Sequence, residues 1–147
     1  MERFRLAWVL RDELLLGPAP SRLEHLDQLA QRGVRAVLSL CAEAEAPPPA
    51  GMAERFTLAR LVLPDHRSAE PMRLEQLEQA VELLEQLSGS GPVFVHCLAA
   101  MERSPLLCLA WLKRRRRLST LQALDYLMQV HPGTSPLPAQ LALLEQL

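Results

Sequence analysis

The sequence has no long run of apolar residues. Charged residues interrupt every hydrophobic stretch, so none approaches the roughly 18 consecutive apolar residues that cross a bilayer. Residues 1–6 mix charged and apolar side chains and lack the uninterrupted apolar segment of a secretion signal. We therefore expect no membrane span and a cytoplasmic location.

Cysteine and lysine are both scarce. The three cysteines, Cys41, Cys97 and Cys108, form neither an even disulfide framework nor a CxxC metal pattern, which favours free thiols in a reducing compartment. Lys113 is the only lysine in an arginine-rich chain, a bias typical of GC-rich, bacterial coding sequences. We expect neither a metal nor a cofactor.

The chain also lacks an excess of positive charge. Its net charge of -1 argues against a general nucleic-acid binder, because such domains are usually strongly basic. The length of 147 residues, 49% of them hydrophobic, suits one domain with a substantial core. We expect a single domain over residues 1–147.

Strand and helix patterns alternate along the chain. The predicted strands cover residues 4–10, 13–16, 34–40, 56–63 and 93–95. The predicted helices cover residues 21–33, 71–88, 104–117, 119–130 and 138–147, and the acidic, proline-containing residues 42–52 are predicted as a surface loop. This alternation predicts an α/β fold with a mostly parallel central sheet and helices on both sides. The first two strands should form a hairpin at the sheet edge.

Local motifs predict three helix starts. Ser21 and Glu24 have the spacing of a capping box, as do Ser119 and Gln122. Pro71 suits the first turn of the third helical segment.

Residues 96–104 hold the most informative motif. A thiol at Cys97 and a guanidinium at Arg103 lie six positions apart, directly after a buried strand. A loop over that interval turns its backbone N–H groups inward as a cradle for a tetrahedral anion, and arginine adds a bidentate fork. Thiols beside such positive fields ionise readily, so we expect Cys97 to be a thiolate at neutral pH.

This run resembles the phosphate-binding loop of the cysteine-dependent protein tyrosine phosphatases, and the short chain is similar to their compact dual-specificity type. The matching residues are His96, Cys97, Ala99, Arg103 and Ser104. The resemblance implies a three-layer α/β sandwich. It also implies a metal-independent hydrolase that removes phosphate from protein tyrosine, serine or threonine through a phosphocysteine intermediate.

The resemblance assigns roles to individual residues. Cys97 is expected to be the nucleophile, Arg103 the phosphate binder, and Ser104 the hydrogen-bond donor to the cysteine sulfur. Asp65 follows a predicted strand and lies 32 residues before Cys97, a separation similar to that of the family's general acid. His96 is expected to order the loop through hydrogen bonds, since a thiolate needs no base.

The loop backbone between the thiol and the arginine is expected to bind the phosphate. These residues are Leu98, Ala99, Ala100, Met101, Glu102 and Arg103. Ala100 stands where the family usually has glycine, so we expect a positive φ there and a steric penalty of about 1 kcal/mol or more. Ala100 supports an alternative function, a pseudophosphatase that binds a phosphorylated partner without turnover. The Glu102 side chain should point outward, because a carboxylate facing the anion would repel it.

Three further features leave alternatives open. The apolar loop residues and the absence of nearby lysine disfavour a multiply phosphorylated inositol lipid and favour a single phosphate on a protein or small molecule. The basic residues 113–117 either recruit an acidic substrate or an anionic membrane surface, or they complement a helix dipole. Cys41 either ends a strand as a small apolar residue or forms a disulfide with Cys97 after oxidation. Sulfur transfer by a rhodanese-like cysteine leaves Arg103, Ser104 and Asp65 unexplained.

Overall fold

The computed structural model describes residues 4–147, so residues 1–3 of the predicted domain lie outside the described residues. The strands are Ala7–Leu10 (β1), Leu14–Leu16 (β2), Ala36–Ser39 (β3), Thr57–Arg60 (β4) and Val93–His96 (β5). The helices are Leu23–Gln31 (α1), Met52–Arg55 (α2), Leu74–Leu87 (α3), Arg103–Arg116 (α4), Thr120–Val130 (α5) and Pro138–Leu144 (α6). A 3-10 turn, Ser88–Ser90, follows α3.

The five strands form one sheet in the order β1-β2-β5-β3-β4. β1 and β2 pair antiparallel as the predicted edge hairpin, and the other neighbours are parallel. Val95 of β5 lies opposite Leu16 on one side and Leu38 on the other, so β5 occupies the centre. The predicted α/β fold with a mostly parallel sheet is confirmed.

The central strand buries both of its faces. Val93 and Val95 belong to the core formed with α3, α4 and α5, whereas Phe94 belongs to a second core with Leu26 and Leu29 of α1. Because successive side chains of a strand point to opposite faces, each core lies on its own side of the sheet. Helices therefore cover both faces, as predicted.

Two predicted helix starts are wrong. Ser21 and Glu24 form no capping box, because the backbone N–H of Ser21 donates to the ring of His25 at 3.0 Å instead. Pro71 lies before the helix, since α3 begins at Leu74 after Arg73 in an extended conformation. The expected capping box of α5 is present: Ser119 Oγ accepts from the N–H of Gln122 at 3.1 Å, and Gln122 accepts in return at 2.9 Å.

α4 follows the loop at the end of the central strand β5 and runs through the core. Its first ten residues, 103–112, are all buried, and Trp111 is among the largest buried side chains. A helix that is apolar on every side is one enclosed by other elements, and α3, α5 and α6 pack around α4. Among the described residues, no helix combines the length and hydropathy needed to cross a membrane.

Candidate active site

The cysteine loop, residues 97–103, joins the end of β5 to the start of α4. Its position at the carboxyl end of a central parallel strand is the usual place for a ligand site in an α/β sheet. Cys97 is almost fully buried at 3% exposure, and its Sγ lies 3.1 Å from Ser104 Oγ. A hydroxyl at that distance stabilises a thiolate by donating to the sulfur.

The backbone N–H groups of residues 98–103 in the cysteine loop are free to donate to a ligand. Within the described part of the chain, none of these six groups donates a hydrogen bond to a protein acceptor. The loop carbonyls behave in the opposite way: the Cys97 carbonyl accepts from His96 Nδ1 at 2.9 Å, and the Leu98 carbonyl accepts from the Ala19 N–H at 3.2 Å. A loop with bonded carbonyls and unbonded amides is an anion-binding nest.

His96 lies beneath the loop and is neutral. Burial lowers the pKa of His96 to about 4, so the ring is uncharged at neutral pH. Its Nδ1–H donates to the Cys97 carbonyl, and therefore its Nε2 accepts from Ser39 Oγ at 2.6 Å. Both ring nitrogens are engaged in holding the loop on the sheet.

The Arg103 guanidinium is 4% exposed and is held on one side by two partners. Nη1 and Nη2 donate to the Glu45 carboxylate at 3.2 and 2.8 Å, and Nη1 also donates to the Leu63 carbonyl at 3.2 Å. These contacts use three of the five N–H groups of an arginine. Among residues 4–147, the Nε–H and one Nη2–H have no hydrogen-bond acceptor, and two such parallel N–H groups have the spacing that suits two oxygens of one anion.

Glu45 is a site residue that the sequence did not reveal. It lies in the acidic segment predicted only as a surface loop, 58 positions from Arg103. The hydrogen bond from Arg103 lowers the pKa of Glu45, so the carboxylate stays charged and fixes the guanidinium plane. Only the alternation of Glu43 and Glu45 beside Pro47 marks this segment, and that pattern is common in solvated loops.

Asp65 lies beside Arg103, with Oδ2 3.9 Å from Nη2, and thus in the region predicted from the sequence. Its closer partner is Arg67, which donates from its backbone N–H and from Nε at 2.9 Å each. Burial works to raise the pKa of Asp65, but the hydrogen bonds from Arg67 outweigh it and hold the pKa below the ordinary value. Asp65 is therefore a carboxylate at neutral pH.

Ala100 has the positive φ expected at this position, +58°, although it carries a Cβ.

The Glu102 side chain was predicted to point outward into solvent. In the structure it lies at the edge of the cavity with only 12% of its surface exposed. Its carboxylate accepts from His66 Nδ1 at 2.9 Å and from Gln140 Nε2 at 2.7 Å. These two donors hold the charge of Glu102 to one side of the cradle.

The cysteine loop opens into a cavity of about 360 Å³. Leu98, Met101 and Leu137 give it an apolar wall, and all three are more than one-third exposed. Asp65 and Arg67 line the cavity as well. The cavity is therefore apolar on part of its wall and polar where Asp65 and Arg67 contribute.

Cys41 and the basic segment lie outside this cavity. Cys41 is fully buried after β3, and burial raises the pKa of its thiol. In the basic segment, Arg115 and Arg116 form ion pairs with Glu13, and Lys113 donates to Thr120 and to the Leu144 carbonyl. Those contacts tie the end of α4 to its neighbours.

The chain is similar to known phosphatases. The dual specificity phosphatase catalytic domain family matches residues 14–147. Dual specificity protein phosphatase 1-A of Xenopus laevis is 29% identical over 126 residues, which are 84% of this chain and 32% of that protein. The chain thus spans about a third of the length of this curated relative.

Solved structures share the fold. The human tyrosine phosphatase-like serine/threonine/tyrosine-interacting protein has a TM-score of 0.82 at 20% identity, covering 98% of this chain and 95% of its own. PTPMT1 in complex with PI(5)P has a TM-score of 0.76 at 22% identity, covering 90% and 88%. With the family match over residues 14–147 and the cysteine loop at the centre of the sheet, this chain belongs to the dual specificity phosphatase family.

Proposed function

We propose that this chain hydrolyses phosphomonoesters on protein side chains, tyrosine and serine or threonine, through a phosphocysteine intermediate. One observation carries the proposal: Cys97 Sγ, 3.1 Å from Ser104 Oγ, lies in a loop whose six backbone N–H groups donate to no acceptor among residues 4–147. The thiolate attacks phosphorus, the bond from phosphorus to the ester oxygen breaks, and Asp65 gives its proton to the leaving oxygen.

Water completes the cycle. The Asp65 carboxylate takes a proton from a water molecule that attacks phosphorus, the S–P bond breaks, and the Cys97 thiolate leaves with the hydrogen bond from Ser104. Arg103 holds two equatorial oxygens throughout through its remaining N–H pair. A phosphate dianion in the cradle disfavours the charged form of Asp65, so substrate binding itself prepares the acid.

The apolar wall of the cavity supports a substrate with one phosphate on a hydrocarbon or aromatic group. Leu98, Met101 and Leu137 offer contact to the carbon skeleton. The only lysine, Lys113, is engaged with Thr120 and the Leu144 carbonyl. Arg67, in the cavity wall, is already paired with Asp65 at 2.7 Å and with Glu45 at 3.3 Å. Phosphorylated protein side chains therefore fit better than a multiply phosphorylated inositol lipid.

The test compares substrates with a chelator present. We expect the purified chain to release phosphate from a phosphotyrosine or phosphoserine peptide faster than from PI(5)P in vesicles. Faster release from PI(5)P would overturn the proposed substrate class. Binding of tungstate with no turnover of any phosphomonoester would overturn the proposed activity in favour of a pseudophosphatase.

The role of Arg67 gives a prediction on pH dependence. In Arg67→Ala, Asp65 keeps the hydrogen bond from the backbone N–H of residue 67 but loses the one from the guanidinium and its positive charge. Both losses raise the pKa of Asp65, so the acid stays protonated to higher pH. We expect the alkaline fall in kcat for a phosphotyrosine peptide to move to higher pH. The measurement is kcat against pH.

Asp65→Asn is the control for this prediction. It should lower kcat and remove the alkaline fall while leaving tungstate affinity intact. Adding Arg67→Ala in the Asp65→Asn background should then leave the pH profile of kcat unchanged. An unchanged profile in Arg67→Ala, or a shift that persists without the Asp65 carboxyl, would contradict the assignment of Asp65 as the acid.

We also propose a cytoplasmic location. All three cysteines are free thiols, which suits a reducing compartment.

A further inference from the structure

The segment between α5 and α6 holds the outside of the cysteine loop. His131 Nε2 donates to the Ala100 carbonyl at 2.5 Å, and the Ser135 N–H donates to the Met101 carbonyl at 2.7 Å. Since a carbonyl only accepts, Nε2 of His131 carries the proton in this contact. We call residues 131–140 the brace.

A third contact extends the brace to the next loop residue. Gln140 Nε2 donates to the Glu102 carboxylate at 2.7 Å. Three consecutive loop residues, 100 to 102, thus each receive one hydrogen bond from residues 131–140. The two contacts to carbonyls act on the orientation of peptide planes, and the third acts on a side chain.

Peptide geometry converts these contacts into a direction for the amides. In a trans peptide, the C=O of one residue and the N–H of the next point in opposite directions. With its carbonyl turned outward to His131, Ala100 leaves the Met101 N–H turned inward. In the same way, the bond from Ser135 leaves the Glu102 N–H turned inward. Neither amide has a protein acceptor among residues 4–147.

The Ala100–Met101 peptide needs the most support, because Ala100 has an unfavourable backbone conformation. Its φ of +58° is a conformation that glycine adopts freely and that an L residue with a Cβ resists. Ala100 is buried at 1% exposure, so its carbonyl needs a partner on that side. His131 is the donor that reaches it.

We propose that His131 is a positioning residue, which holds the Ala100–Met101 peptide with its amide directed at the bound oxyanion. This contact stabilises the positive φ of Ala100, so that alanine can replace glycine in the loop. His131 acts through the loop and does not contact the phosphate. The inference rests on the proposed function only in taking the cysteine loop as an oxyanion cradle, and it does not require turnover.

A double-mutant cycle tests the proposal with tungstate as the probe. Tungstate affinity is measured by calorimetry for the wild type, His131→Ala, Ala100→Gly and the double variant. We expect His131→Ala to weaken binding about tenfold in the alanine background and about twofold or less in the Ala100→Gly background. Glycine adopts the required φ without help, so it needs the histidine less.

A conservative variant separates a hydrogen bond from bulk. His131→Gln retains an N–H donor at a similar reach, and we expect it to restore tungstate affinity to within about threefold of the wild type. The melting temperature is followed in parallel. The amide signal of Met101 in a nitrogen–proton correlation spectrum should shift on tungstate binding in the wild type and in His131→Gln, and shift less in His131→Ala.

Equal losses of tungstate affinity in both backgrounds, or no loss in His131→Ala, would overturn the proposal. A lower melting temperature with unchanged tungstate affinity would also overturn it, because His131 would then be only a structural residue. Tungstate binding that follows the expected cycle in a protein without turnover would overturn the proposed activity and leave this inference standing. Failure of the wild type to bind tungstate would overturn both.

Discussion

Replacing Cys97 by serine is expected to reduce turnover by about 10⁵-fold or more, a loss comparable with removal of a nucleophile in other covalent enzymes. A serine hydroxyl is not ionised at neutral pH and needs a base to attack phosphorus. His96 cannot serve, because its Nδ1–H already donates to the Cys97 carbonyl and its Nε2 accepts from Ser39. The measurement is phosphate release from a phosphotyrosine peptide with a chelator present.

Two measurements accompany Cys97→Ser. Tungstate should still bind, since Arg103 and the backbone N–H groups of residues 98–103 are unchanged, and these N–H groups have no acceptor in the described part of the chain. Cys108→Ala is the matched cysteine control: Cys108 is buried within α4, and burial raises the pKa of its thiol, so this variant should keep kcat within about twofold. More than a hundredth of wild-type turnover in Cys97→Ser would contradict a phosphocysteine mechanism.

Arg103→Lys is expected to lower kcat by about 10³-fold, although it keeps the positive charge. An ammonium is a point charge and cannot face Glu45, the Leu63 carbonyl and two phosphate oxygens at the same time. The change also leaves the Glu45 carboxylate without its bidentate partner. The measurement is kcat and KM for the phosphotyrosine peptide.

Arg116→Lys is the matched control for this substitution. Arg116 is half exposed, and its one ion pair within residues 4–147 is a long one with Glu13 at 3.9 Å. The same chemical change there should leave kcat unaltered. Arg103→Lys within tenfold of the wild type would mean that charge alone, and not the planar fork, carries the contribution of Arg103.

Short-range patterns predicted much of this molecule. The apolar residues of β5, the helical spacing of α3 and the Ser119 capping box are signals within a few residues, and each appears in the structure. The positive φ at Ala100 also followed from sequence, because the resemblance places glycine there. Where local chemistry alone decides the backbone, the sequence was sufficient.

The failures have two physical causes. At Ser21 the cause is local: the ring of His25, four residues later, accepts the backbone N–H in place of the expected capping box. The other cause is contact between residues far apart in the sequence. Glu45 contacts Arg103 across 58 positions, and His131 contacts the Ala100 carbonyl across 31. No periodicity encodes such contacts, because they depend on where the sheet and α4 bring the chain back together.

The residues that contact the cysteine loop lie far from it in the sequence, and this affects when the loop can fold during synthesis. Ala19, Glu45 and Leu63 reach the loop from before it, and the brace reaches it from after it. Contacts between residues far apart in sequence form late, because the chain must first lose the entropy of the intervening segments. A nascent chain emerging from the ribosome with its thiol already exposed therefore carries no finished cradle. Cys97 lies in a loop with its full set of contacts only when residues 131–140 have been made and have folded back.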